Sequence, residues 1–166
     1  MWKIIQPSEI QVGIGTAQNF VYPTNSLIIT TKNAISRGWI DYLKIKDYHI
    51  YDKIEPNPSI DNIEKLISEF GNINFSSIIG IGGGSSIDVA KFFGYKMNKK
   101  KIMIPTTFGT GSEVTRISVL NVNGKKTSFH DDKILSDVAI VDPFFIKNTP
   151  FKLIKNYAID SCAQCS

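Results

Sequence analysis

Two stretches of this chain could do chemistry. Gly80-Ile81-Gly82-Gly83-Gly84-Ser85-Ser86-Ile87-Asp88 follows an apolar run and opens a helical pattern. Glycines there let the backbone turn tightly and let a bulky anion approach. The first amides of the helix then point at that anion, and the helix dipole favours its charge. A diphosphate is the natural ligand. No Gly-Lys-Ser/Thr follows, so this is not a Walker A loop, and Ser85 stands where a G-x-G-x-x-G fingerprint has its last glycine. The second stretch is Pro105-Thr106-Thr107-Phe108-Gly109-Thr110-Gly111-Ser112-Glu113. Its four hydroxyls, on Thr106, Thr107, Thr110 and Ser112, are short neutral partners for ribose and phosphate oxygens.

The elements around these stretches must position them. Leu27-Ile28-Ile29, His49-Ile50-Tyr51, Ser77 to Ile81, Ile102 to Ile104 and Val138 to Val141 read as strands. Helical patterns lie between them, at about 33–43, from the Ser59 cap through Ile60, Ile63, Leu66, Ile67 and Phe70 to Gly71, and at about 86–95. Such alternation predicts a parallel sheet covered on both faces, a Rossmann-like α/β fold. In open sheets of this kind, ligands bind beyond the carboxyl ends of the strands, where both stretches emerge. Ile117 to Val122 and Thr127 to Phe129, joined across Asn123-Gly124, read as a β-hairpin. From Thr149 the pattern is helical again and runs uncapped to Ser166, which reads as a cut.

Composition narrows the classes. The chain has 166 residues, 42% of them hydrophobic and 20% charged, enough apolar side chains for a core. It has no apolar run long enough for a membrane span and no secretory leader pattern. Cys162 and Cys165 are too few for a disulfide framework, so a reducing cytoplasm is expected. Their CxxC spacing could mark a metal or redox pair, but without a second such pair or a nearby histidine they read as two buried helix cysteines. Net charge is +4, with only Arg37 and Arg116 as arginines. Lys99-Lys100-Lys101 reads as a solvated turn, and a nucleic-acid surface is not expected. His49 and His130, the only histidines, read as structural or solvated.

Gly82 to Lys91 and Pro105 to Thr115 resemble the two signature segments of the iron-containing (group III) alcohol dehydrogenases, and Leu135 to Pro143 resembles the segment that follows them there. The resemblance implies an N-terminal domain of dehydroquinate synthase-like fold over residues 1–148. Residues 149–166 would then be the opening helix of a truncated all-helical, metal-binding domain. It further implies reversible hydride transfer between NAD(P) and a small alcohol or aldehyde, a divalent metal (Fe2+ or Zn2+), and a homodimer as one assembly. Gly83, Gly84, Ser85 and Asp88 would hold the cofactor diphosphate. Thr106, Thr107, Thr110 and Ser112 would line its ribose and nicotinamide side, and Lys126 would contact it. Asp160 would bind the metal. Gln164 stands four residues on, where the family has a histidine; it is a poorer ligand for iron or zinc and resembles the phosphonoacetaldehyde reductase branch. Thr31 stands where the family usually has the aspartate that accepts from the ribose 2′-hydroxyl, which opens the site to NADPH. No side chain reads as a general acid or base. A nucleotide-binding chain without catalysis and a dehydroquinate synthase-like enzyme are the alternative readings.

Overall fold

The computed structural model describes residues 3–165, apart from the side chain of Gln164. Among the described residues there are eight strands: β1 (Glu9–Val12), β2 (Ser26–Ile29), β3 (Tyr48–Tyr51), β4 (Ser77–Gly82), β5 (Lys100–Pro105), β6 (Ile117–Val122), β7 (Lys125–His130) and β8 (Val138–Val141). The helices are α1 (Thr16–Asn19), α2 (Lys32–Ser36), α3 (Trp39–Tyr42), α4 (Ile60–Phe70), α5 (Gly84–Met97) and α6 (Phe151–Cys165). Six strands form one parallel sheet in the order β1-β8-β5-β4-β2-β3, while β6 and β7 pair as a separate antiparallel hairpin.

The apolar runs of β2, β4, β5 and β8 are buried because the sheet is covered on both sides. Alternate residues divide between two cores. Leu27, Ile29, Ile78 and Met103 face α4 and α5, together with Leu66, Phe70, Phe75 and Phe93. Ile28, Ile79, Ile81, Ile102, Ile104, Val138 and Ile140 face the other way, onto Ala17, Ile40, Leu43 and Phe145. From β2 the chain steps outward to β3, then returns to lay β4 on the other side of β2. The order of strands therefore reverses between β2 and β4, and a crevice opens at their carboxyl ends.

The structure departs from the sequence expectations in four places. The helix expected over 33–43 is two short helices, because Gly38 adopts a left-handed conformation (φ 68°) between them. β1, which the sequence did not signal, is an exposed edge strand with alternating residue types and no continuous apolar run. The lysine turn is not wholly solvated: Lys100 and Lys101 open β5, and Lys101 is buried with its Nζ 3.3 Å from Asp137. The cysteines of α6 are exposed rather than buried. Instead, α6 turns Ile154, Tyr157, Asp160 and Ser161 toward the protein and leaves Phe151, Leu153 and Ile159 exposed.

α5 crosses β4 at close range over Gly80, where a Cβ would sit 2.6 Å from Ala90 Cβ and 2.7 Å from Met103 Sδ. Gly80→Ala is therefore expected to cost about 1–3 kcal/mol by overpacking, read as a lower urea midpoint. An unchanged midpoint would show that α5 does not lean on this strand.

Candidate cofactor site

The glycine turn begins where β4 ends. Gly82 has φ +150°, and a Cβ on it would strike Ser86 Oγ at 2.6 Å, so the turn into α5 requires glycine there. α5 then starts at Gly84, and its first amides have no acceptor within the helix. The neighbouring strand β5 ends in register, Pro105 beside Gly82, and the Thr106 amide donates to the Gly82 carbonyl at 2.9 Å. The two turns thus leave the sheet side by side. A Cβ on Gly83 would lie 3.4 Å from Thr107 Oγ1, and one on Gly84 3.3 Å from Thr110 Cγ2. The bare backbone of one turn is cradled against the hydroxylated side chains of the other.

A buried ammonium and a half-buried carboxylate hold this arrangement. Lys91, fully buried on α5, donates from Nζ to the carbonyls of Ser112 (2.7 Å), Thr115 (3.1 Å) and Ile117, and lies 3.8 Å from Asp88. Asp88 accepts from Ser112 Oγ at 2.5 Å and from the Val119 amide at 3.1 Å. Burial pushes the Asp88 carboxyl up, against the bonds from Ser112, Lys91 and Val119 that pull it down. Burial likewise brings the Lys91 ammonium down to about 8, although Asp88 and Glu113 hold it up. The pair ties α5 to both the hydroxylated turn and the hairpin. The sequence analysis missed Lys91; its signal was a lysine three residues after Asp88 on an otherwise apolar helix face.

The expected residues fall around connected clefts. Thr31, Gly83, Gly84, Ser85 and Thr107 share one with Ser86, Ile54, Glu55 and Pro56. Gly84, Ser85, Asp88 and Lys126 share a second, of about 180 Å³, with Asn57, Val119 and Asn121. Thr107 and Thr110 also border a third, where Phe108, Glu113, Val141, Asp142, Ile146, Ser161 and Cys165 form the walls. Thr106 and Ser112 are buried and line none of these clefts; the hydroxyl of Ser112 is engaged with Asp88. His49 and His130 border none of them either.

α6 docks on the hydroxylated turn. Tyr157 meets Phe108 edge-on at 5.2 Å, and Asp160 Oδ2 lies 2.7 Å from the position a Cβ on Gly109 (φ +116°) would take. The Gln164 side chain lies outside the described residues. Among the described residues no group of three or more His, Cys, Asp or Glu side chains comes together. Asp160 by itself is a single ligand and does not make a complete metal site. Asp142 is buried and accepts from the amides of Gly15 (3.2 Å), Ala17 (3.1 Å) and Phe144 (3.0 Å) and from Tyr42 Oη (3.1 Å).

The chain belongs to the iron-containing alcohol dehydrogenase family, whose sequence model matches residues 7–143. It is 31% identical to long-chain-alcohol dehydrogenase 1 of Geobacillus thermodenitrificans over 96% of its own length and 49% of that protein's. The fold is similar to an iron-containing alcohol dehydrogenase of Thermotoga maritima, with a TM-score of 0.86, 26% identity, and coverage of 96% of this chain and 53% of that one. It is also similar to the sulfoacetaldehyde reductase of Bifidobacterium kashiwanohense in complex with NAD+, with a TM-score of 0.87, 26% identity, and coverage of 96% and 51%. The chain thus spans about half the length of these proteins. No helix among the described residues is long and apolar enough to cross a membrane.

Replacing Lys91 by Met keeps its volume and removes the cation. Asp88 loses its counter-ion and three carbonyls each lose a donor, so a loss of about 3–5 kcal/mol is expected, measured by urea denaturation. A loss below about 1 kcal/mol, the scale of an exposed ion pair, would contradict this account of the Lys91–Asp88 pair.

Proposed function

We propose that this chain is the cofactor-binding portion of a nicotinamide-dependent alcohol dehydrogenase or aldehyde reductase. The observation that carries the reading is the cradle: bare backbone at Gly83 and Gly84, where an added Cβ would come within 3.3–3.4 Å of the side chains of Thr107 and Thr110, at the reversal point of a parallel sheet. A side chain on either glycine would press on the threonines of the neighbouring turn.

In this reading the first amides of α5 hold the diphosphate with help from Ser85, which lines both adjoining clefts. Lys126, across the second cleft, adds a positive charge. Thr107 and Thr110 face the ribose and nicotinamide end. Asp88, Lys91 and Ser112 act as positioning residues, since their side-chain polar atoms are committed within the protein, and Thr106 ties the two turns through its amide. The nicotinamide, when bound, supplies hydride chemistry; this chain binds it, orients it and walls off water. The third cleft, with Phe108, Val141 and Ile146 beside Glu113 and Asp142, receives the alcohol or aldehyde. Burial pushes the Glu113 carboxyl up, the change a proton-holding group in such a cleft needs.

Asp160, at the edge of the hydroxylated turn, would contribute one ligand to a divalent metal, with Gln164 a turn further along α6. A small aldehyde bearing an acidic group is the substrate class we favour. Support comes from the Asp160–Gln164 spacing, which resembles phosphonoacetaldehyde reductases, and from the likeness to a sulfoacetaldehyde reductase. The exposed free thiols of Cys162 and Cys165 suit the reducing cytoplasm.

Titration of the 166-residue chain with NADH, followed by nicotinamide fluorescence, is expected to show saturable binding. Ser85→Glu places a carboxylate in the first turn of α5, which favours the helix but competes for the anion position. Binding is expected to weaken at least about tenfold with no loss of thermal stability. Equal binding by this variant would place the cofactor elsewhere.

A further inference from the structure

The third cleft shares a wall with another space. Val114 and Thr115 border that cleft and also a groove of about 540 Å³ lined by Lys3, Ile4, Ile5, Arg116 and Ile117. The two spaces differ in charge. Among the described residues, the third cleft is lined by the carboxylates of Glu113 and Asp142 and by no lysine or arginine. The groove is lined by Lys3 and Arg116 and by no carboxylate. Lys3 is exposed and has no ion-pair partner among the described residues. Arg116 donates from Nη1 to Asp132 at 2.8 Å and keeps other N–H donors of its guanidinium for a second acceptor. The remaining walls are apolar except for Thr115: Ile4, Ile5, Val114 and Ile117.

A substrate whose reacting carbon lies in the third cleft meets like charge if its acidic group stays there, beside two carboxylates. The groove offers what the cleft lacks. Its isoleucines and valine suit a methylene stem, and its two cations suit an anion at the end of that stem. We infer that the groove of Lys3 and Arg116 receives the remote end of the substrate, so that the alcohol or aldehyde this protein takes carries an anionic group separated from its reacting carbon by an apolar stem. The inference rests on the third cleft being the alcohol or aldehyde site. It adds two specificity-determining residues, Lys3 and Arg116, that lie outside both turns.

Calorimetric titration of the NADH-saturated 166-residue chain with 6-hydroxyhexanoate, 6-hydroxyhexanesulfonate and the neutral hexane-1,6-diol tests this. At low salt the acids are expected to bind at least about tenfold tighter than the diol, the scale of one charge-assisted hydrogen bond. The tighter of the two acids names the anion. Lys3→Glu is expected to abolish the advantage and Lys3→Arg to keep it. Lys65→Glu makes the same charge change on α4, outside the groove, and is expected to keep it too. Both lysines are exposed, so the fold is insensitive to these changes. Equal binding of acids and diol, binding of none of the three, an advantage that survives Lys3→Glu, or one lost in Lys65→Glu each overturns the inference. In all of these cases the cofactor reading stands as long as NADH binds; if NADH does not bind, both fall.

Discussion

The buried ammonium of Lys91 is the constraint on which the site depends. It reaches from α5 to three carbonyls on the segment between the hydroxylated turn and the hairpin, with Asp88 as its counter-ion. Backbone that leaves a sheet at its carboxyl edge has few ladder bonds to hold it, and polar groups there must find other partners. Here one side chain supplies several at once. Burying an ion is costly unless it is fully bonded, so the pair stays folded in one arrangement: with the carbonyls of Ser112, Thr115 and Ile117 satisfied, the turn can only lie beside Gly83 and Gly84. The same α5 that carries Lys91 also carries the free amides at its start, so the two halves of the cradle share one rigid body.

The sheet supplies the remaining constraint. Adjacent strands β4 and β5 end at paired residues, Gly82 and Pro105, so the turns that follow them begin level with one another. The bond from Thr106 to Gly82 extends that pairing by one residue into the site. On the other flank, Thr30 Oγ1 donates to the Ile81 carbonyl at 2.9 Å and fixes the end of β2 against β4. Thr31 is thereby held beside the glycine turn. Asp142 performs a similar task further along the edge, gathering α1, α3 and the end of β8.

Much of this was legible in the residues. Buried parallel strands are continuous apolar runs, so β2, β4, β5 and β8 announced themselves, and glycine and hydroxyl turns at their ends marked the crevice. The edge strand β1 did not, because an exposed strand needs no apolar run. The break at Gly38 was hidden because a glycine within a helical pattern does not state whether it will take positive φ. The roles of Lys91, Asp142 and Ser112 were also hidden. Carbonyls of Ser112 and Thr115 for Lys91, the Gly15 and Ala17 amides and the Tyr42 hydroxyl for Asp142, and the Asp88 carboxylate for Ser112 are brought close only by tertiary folding, and no spacing rule encodes bonds to groups more than twenty residues away. In α6 the face that docks is the one with Tyr157 and Asp160, set by Phe108 and Gly109, which no local pattern could announce.

The central claim is that two turns from neighbouring strands grip one ligand together. Hydrogen exchange of the backbone amides, measured with and without saturating ADP-ribose, tests it most directly. Amides at 83–86 and at 107–111 are expected to gain protection together and at the same ligand concentration. Protection confined to one of these stretches, with the other unchanged, would contradict it.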